Sequence, residues 1–146
     1  MNSPVILIVE DDDELLNVFK VRIESLGYQV LTAQKGDEAL RLAREKLPSL
    51  IILDIFLPDM DGLTMLKRIK APIDIQTGRT SMTKDIPVIV ITGKAPMVEN
   101  MTRVEGAADF FVKPIDVHQL IKRVEQLIKC TQFEGKIKFP TYRKAS

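Results

Sequence analysis

The chain has 146 residues, 45% of them apolar, which is the size of one globular domain with a substantial core, so that no second catalytic or DNA-binding domain is expected within it. Its formal net charge of +1, from 21 Lys and Arg against 20 Asp and Glu, gives no overall field to recruit nucleic acid or an anionic membrane. Residues 129–146 nevertheless hold five basic side chains (Lys129, Lys136, Lys138, Arg143, Lys144) and one acid (Glu134), leaving 16 basic against 19 acidic on residues 1–128.

At the N-terminus, Pro4 and the run Val5–Val9 come without a basic segment, a long apolar stretch or a small-residue cleavage site, so no signal peptide is expected. The run is apolar at consecutive positions, which suits a strand covered on both faces of a parallel sheet. It ends in Glu10-Asp11-Asp12-Asp13-Glu14. Asp12 or Asp13 can cap the following helix, and acidic neighbours favour its dipole. Two carboxylates at the strand tip, ahead of the helix, are more than a cap needs. Leu16, Phe19, Ile23 and Leu26 then recur at helical spacing until Gly27 stops the pattern.

A second strand over Tyr28–Ala33 and a helix over 36–46 lead to a third strand, Leu50–Asp54. Pro58 to Gly62 reads as a turn, with Asp61 placed to cap a helix over 62–70. That turn does not account for Asp54, a carboxylate at the end of an apolar strand, where it requires a partner. The polar segment Ala71–Asp85, with Pro72 and Gly78, is long for a connection and reads as an exposed insertion. A fourth strand (Val88–Thr92), a helix over 96–105 and a fifth strand (Ala108–Val112) follow. Asp116 is a ready N-cap for the last helix, marked by Val117, Leu120, Ile121, Val124, Leu127 and Ile128. Residues 1–129 read as the domain and 130–146 as a basic tail without strong helical period. No apolar run approaches membrane-spanning length, and the lone Cys130 is consistent with a reducing cytosol, so a cytoplasmic protein is expected.

Alternating strands and helices predict an α/β fold: a doubly wound, five-stranded parallel sheet flanked by five helices, with right-handed crossovers. In such sheets the loops at the carboxyl ends of the strands build the binding site. If the first and third strands are neighbours, Glu10, Asp11 and Asp54 converge there, and three close carboxylates require a cation. Oxygen-only ligation points to a hard divalent ion, Mg²⁺ first. A carboxylate beside Mg²⁺ can act as nucleophile toward phosphorus. The fourth strand ends in Thr92-Gly93, a hydroxyl beside a small residue, although Thr alone is more often a strand former. The fifth ends in Lys113-Pro114, a cation able to pair with a phosphoryl oxygen and a candidate cis linkage, although Lys alone is more often solvated. The weight lies in their joint occurrence on one predicted edge.

These residues resemble the receiver domain of bacterial two-component response regulators. Ile6-Leu7-Ile8-Val9-Glu10-Asp11-Asp12 matches the opening strand and acid pair, and Asp54 with Leu57-Pro58-Asp59-Met60-Asp61-Gly62 the phosphoacceptor segment. Pro87-Val88-Ile89-Val90-Ile91-Thr92-Gly93, Gly106-Ala107 and Lys113-Pro114 match the later signatures. The resemblance covers roughly residues 4–129 and implies a flavodoxin-like receiver fold. It implies Asp54 as phosphoacceptor, Asp11 as direct Mg²⁺ ligand, Glu10 as a ligand acting through water, and the Phe56 carbonyl as a backbone ligand. It implies that Thr92 and Lys113 contact the phosphoryl group, and that Thr92 and Phe110 form the switch that reshapes the helix 4–strand 5–helix 5 face. The implied donor is a phosphohistidine on a sensor histidine kinase or histidine phosphotransfer protein. With no output domain in view, the signal is expected to leave through a downstream protein target on that face, which would also serve a homodimer. Phe110 stands where Tyr is commoner, the 71–85 insertion is longer than usual, and Phe56 and Lys94 occupy positions at which receivers vary.

Competing classes fit less well. A phosphohydrolase of the haloacid-dehalogenase type needs a second Asp two residues after the nucleophile, where this chain has Phe56. A nucleotide-binding Rossmann domain needs a G-x-G-x-x-G after the first strand, which is lacking. A pseudo-receiver scaffold remains the alternative, against which the complete acidic set argues. His118 reads as a helix surface residue, and Met60, Met65, Met97 and Met101 as packing.

Overall fold

The computed structural model describes residues 3–93 and 97–134. Lys94 and most of the basic tail, including Lys136, Lys138, Arg143 and Lys144, lie outside the described residues.

Five strands, β1 (Val5–Val9), β2 (Gln29–Ala33), β3 (Leu50–Asp54), β4 (Val88–Thr92) and β5 (Asp109–Val112), form a parallel sheet in the order β2-β1-β3-β4-β5. The helices are α1 (Asp13–Glu24), α2 (Gly36–Lys46), α3 (Gly62–Lys70), α4 (Met97–Val104) and α5 (Val117–Glu134). Successive strand side chains point to opposite faces, so an apolar run divides itself between two cores. Leu7, Val9, Ile51, Leu53, Val88 and Val90 pack with Leu40, Ala43, Met65, Leu66 and Ile69 of α2 and α3. Ile6, Ile8, Leu50, Ile52, Ile89 and Ile91 pack with Phe19, Ile23, Leu120, Val124 and Leu127 of α1 and α5. Each fully buried aliphatic side chain contributes about 1.5–3 kcal/mol, so the three inner strands anchor the molecule.

Asp12 caps α1, accepting from the Glu14 and Leu15 amides, and Asp61 caps α3 through Leu63. Gln119 N–H donates to Asp116 at the start of α5. Gly27 follows α1 at φ 90°, a conformation that costs a residue with a Cβ. Two expectations shift. Leu26 lies beyond the last turn of α1 and is 37% exposed rather than core. The last helix continues to Glu134, past the expected boundary at 129, with Lys129 and Cys130 exposed along it. Among the described residues no helix is long and apolar enough to cross a membrane.

The 71–85 segment is mostly exposed, as expected, but it is anchored. Ser81 and Thr83 are buried, their hydroxyls lie 3.0 Å apart, and Thr83 Oγ1 donates to the Ile69 carbonyl at 2.8 Å.

Candidate functional site

In a parallel sheet all carboxyl strand ends share one edge, so β1 and β3, paired from Ile6↔Leu50 to Val9↔Leu53, deliver their terminal acids side by side. Glu10, Asp11 and Asp54 each offer an oxygen, and these atoms lie within 4.8 Å of one another. Glu10 and Asp54 are 0% and 3% exposed, while Asp11 faces solvent. The Asp12 amide donates to Glu10 Oε2 at 3.2 Å and the Phe56 amide to Asp54 Oδ1 at 3.0 Å.

Lys113, following β5, reaches across β4 to both buried acids. Its Nζ lies 2.8 Å from Glu10 Oε1 and 3.1 Å from Asp54 Oδ2. The backbone directs it there, since the Lys113 amide donates to the Thr92 carbonyl at 2.7 Å; the Lys113–Pro114 peptide is cis. The pair with Glu10 Oε1 is ionic without directed hydrogen-bond geometry, so this buried oxygen keeps acceptor capacity. Burial and the neighbouring Asp54 push the Glu10 carboxyl up to about 7, against the pull of Lys113. Burial works to lower the Lys113 ammonium, but the two carboxylates outweigh it and hold it above its ordinary value.

Thr92 closes β4, one residue past Ile91, the register partner of Asp54, and is fully buried. Phe110 of β5 pairs with Val90 of β4 and is 9% exposed within the α2–α3 core, so the aromatic occupies an inward position in this conformation. Phe56 is 48% exposed beside Asp54. His118 is exposed on α5, Met65 is core, Met60 packs against it, and Met101 is 46% exposed; the Met97 side chain is outside the described residues.

The loop joining β3 to α3 is clamped at several points. The Gly62 amide donates to the Ile55 carbonyl at 2.8 Å, and a Cβ on Gly62 would stand 2.5 Å from Ile55 Cα, so only glycine permits this approach. Phe56 and Asp61 form an antiparallel bridge. Sequence reasoning named Asp59 only as part of a matched segment and missed its capping role. Lys35, at the N-cap of α2, has no side-chain acceptor to offer, and the Asp59 carboxylate substitutes, taking the Gly36 amide at 2.7 Å and the Asp37 amide at 3.3 Å. Those backbone donors hold the Asp59 carboxyl below its usual value.

Hard oxygen donors at this spacing, one of them a buried carboxylate oxygen with no directed hydrogen bond, fit a small divalent cation. The profile of the response regulator receiver domain matches residues 6–125. The chain belongs to this family. The receiver is 33% identical over 130 residues to the transcriptional regulatory protein PrrA of Mycobacterium tuberculosis, an alignment covering 88% of this chain and 52% of that protein. It thus spans about half the length of the curated relatives it matches. A CheY-like response regulator receiver domain protein from Methanospirillum hungatei superposes with TM-score 0.77 at 26% identity, over 92% of this chain and 100% of that one. The receiver domain of a sensor histidine kinase from Pseudomonas aeruginosa superposes with TM-score 0.75 at 26% identity, over 88% and 99% of the two chains, and holds a magnesium ion in its active-site cleft. Receivers are regulatory domains rather than conventional enzymes.

Proposed function

We propose that the chain is a phosphoacceptor switch of a two-component phosphorelay in which Asp54 takes a phosphoryl group from a phosphohistidine. The observation that carries this reading is the convergence of Glu10, Asp11 and Asp54 within 4.8 Å, with Lys113 bridging the two buried acids. An oxygen of the Asp54 carboxylate attacks phosphorus, forming an O–P bond as the P–N bond of the donor imidazole breaks and its electron pair returns to the ring nitrogen. Asp11, Asp54, the Phe56 carbonyl and Glu10 would hold Mg²⁺, which when bound would supply charge neutralisation at the phosphoryl oxygens. Lys113 is placed to exchange its pairing with the carboxylates for pairing with a phosphoryl oxygen, and Thr92 contributes a hydroxyl donor.

The readout proposed is protein contact. Met101, Val104 and Val112 are 46%, 83% and 45% exposed on α4 and β5, apolar side chains suited to a downstream target or to a second copy. Thr92 and Phe110 form the switch beneath this face, and because Phe110 is already inward, phosphorylation acts by holding it there. The donor is a sensor histidine kinase or a histidine phosphotransfer protein, and the setting is cytoplasmic.

Incubation of the full chain with acetyl phosphate tests this reading. Mg²⁺-dependent phosphorylation of the wild type and its loss in Asp54→Asn are expected. A wild type that takes no label with Mg²⁺ present would establish an unphosphorylated scaffold instead.

A further inference from the structure

The 71–85 segment takes no part in the acidic cleft and lies at the opposite edge of the sheet. Asp54 closes β3 at its carboxyl end, whereas Lys70, the last residue of α3, donates from its ammonium to the carbonyls of Lys84 and Ile86, immediately ahead of β4. The segment is built as a closed turn. Ile73 and Thr80 form an antiparallel bridge, the Asp74 amide donates to the Arg79 carbonyl at 2.8 Å, and the Gly78 amide donates to the Asp74 carbonyl at 2.7 Å. Besides the buried Ser81–Thr83 anchor, Arg44 of α2 fixes it, with Nε 3.3 Å from the Asp74 carboxylate.

On this fixed support three large apolar side chains stand in solvent: Ile73, Ile75 and Met82 are 55%, 74% and 72% exposed. Ile73 and Ile75 stand at one cleft, and exposed aliphatics grouped in this way mark interaction sites. Ile73 and Ile75 line a cleft of about 160 Å³ together with Thr64, Lys67 and Arg68 of α3. Through Arg44 and Arg68, which line both, it adjoins a cleft of about 470 Å³ along the seam between α2 and α3.

The charges of this groove identify its occupant. Arg41 and Arg44 are neutralised within the chain by Glu45 and Asp74. Lys67 has Glu105 at the long distance of 4.0 Å, and among the described residues Arg68 pairs with no carboxylate. Arg68 and the weakly paired Lys67 therefore flank two exposed isoleucines, while the acids Asp37 and Glu45 line only the adjoining cleft. The complement is an acidic segment bearing apolar side chains, because the carboxylates steer and register the approach while the aliphatics supply the buried area. The chain's own tail carries the wrong sign, with five basic side chains and one acid over residues 129–146.

We propose that the insertion and the C-terminal half of α3 form a docking groove for an acidic, apolar-bearing segment of a partner protein. The groove leaves the Asp54 cleft open, so a partner docks here whether or not Asp54 is phosphorylated, and the surface serves as a tether that selects the complex in which the switch operates.

The test uses the full chain and fluorescence anisotropy with a labelled synthetic amphipathic peptide of Glu and Leu, beside a counterpart with Lys in place of Glu. Saturable, salt-weakened binding of the acidic peptide is expected, reduced about tenfold or more in Ile75→Ser and in Arg68→Glu and equal for wild type and Asp54→Asn. Both groove variants should accept phosphate from acetyl phosphate as the wild type does, which separates this proposal from the reading of the cleft. Equal binding of the Lys peptide, absence of saturable binding, or binding unchanged in both variants overturns it. So does sedimentation showing that the wild type is a dimer that Ile75→Ser converts to monomer, since the occupant is then a second copy.

Discussion

Replacing Lys113 by Met removes the cation that bridges two buried carboxylates while keeping most of the aliphatic stem. Lys113 Nζ lies 2.8 Å from Glu10 Oε1 and 3.1 Å from Asp54 Oδ2, and those two acids are 0% and 3% exposed. Removing one partner of a buried pair costs about 3–5 kcal/mol when the remaining charge stays uncompensated. Here the loss is pH-dependent because Glu10 can escape it by protonation. Its carboxyl sits at about 7 in the presence of Lys113 and moves higher without it. At about pH 8 the wild type has Glu10 ionised and paired, and Lys113→Met should lose about 3 kcal/mol in urea unfolding without metal. At about pH 5.5 Glu10 is protonated in both proteins, only the Asp54 pairing is lost, and the difference should fall to roughly half. Mg²⁺ should stabilise the variant more than the wild type, since it no longer competes with the ammonium for the same oxygens. A destabilisation independent of pH, or a variant that Mg²⁺ stabilises less, would refute this electrostatic reasoning.

Other outcomes follow from the same geometry. Gly62→Ala places a Cβ against Ile55 backbone atoms that cannot yield, so it should cost about 1–3 kcal/mol in chemical unfolding and weaken Mg²⁺ binding by shifting the Phe56 loop. Because the folded-state pKa of Glu10 is raised from 4.5 to about 7, its contribution to the stability of the metal-free protein is full below pH 4.5 and is lost as pH rises through about 7. Mg²⁺ requires the carboxylate, so its apparent affinity in calorimetry should fall by up to about tenfold per pH unit on acidification below that value. Phe56→Asn should shorten the lifetime of the phosphorylated protein several-fold by admitting water beside Asp54, and an unchanged decay rate would dismiss the shielding role of the phenyl ring.

The strands were legible because consecutive β-branched residues are demanded by a sheet covered on both sides. The position of Glu10, Asp11, Asp54, Thr92 and Lys113 at strand ends followed from parallel topology. What escaped were features without apolar periodicity. Ser81 and Thr83 bury polar groups that satisfy each other, which leaves no hydrophobic signal in an otherwise polar segment. Asp59 caps a helix 23 residues upstream, and only the lack of a capping side chain at Lys35 hinted at the vacancy it fills. The end of α5 carries exposed Lys129 and Cys130, so its continuation to Glu134 lacks the amphipathic mark that defined the rest. The raised affinity of Glu10 for a proton depends on its complete burial, whereas in the sequence it is one of five successive acids.

The central claim is a covalent bond between phosphorus and Asp54. Borohydride reduction of the acetyl phosphate-treated chain, followed by mass spectrometry of its peptides, reads that bond directly, because an aspartyl phosphate is reduced to homoserine. The account predicts homoserine at position 54 and at no other acid, formed only when Mg²⁺ is present. Homoserine at Asp11 or Asp59, or a phosphoryl group recovered on His118 with Asp54 unmodified, would contradict it.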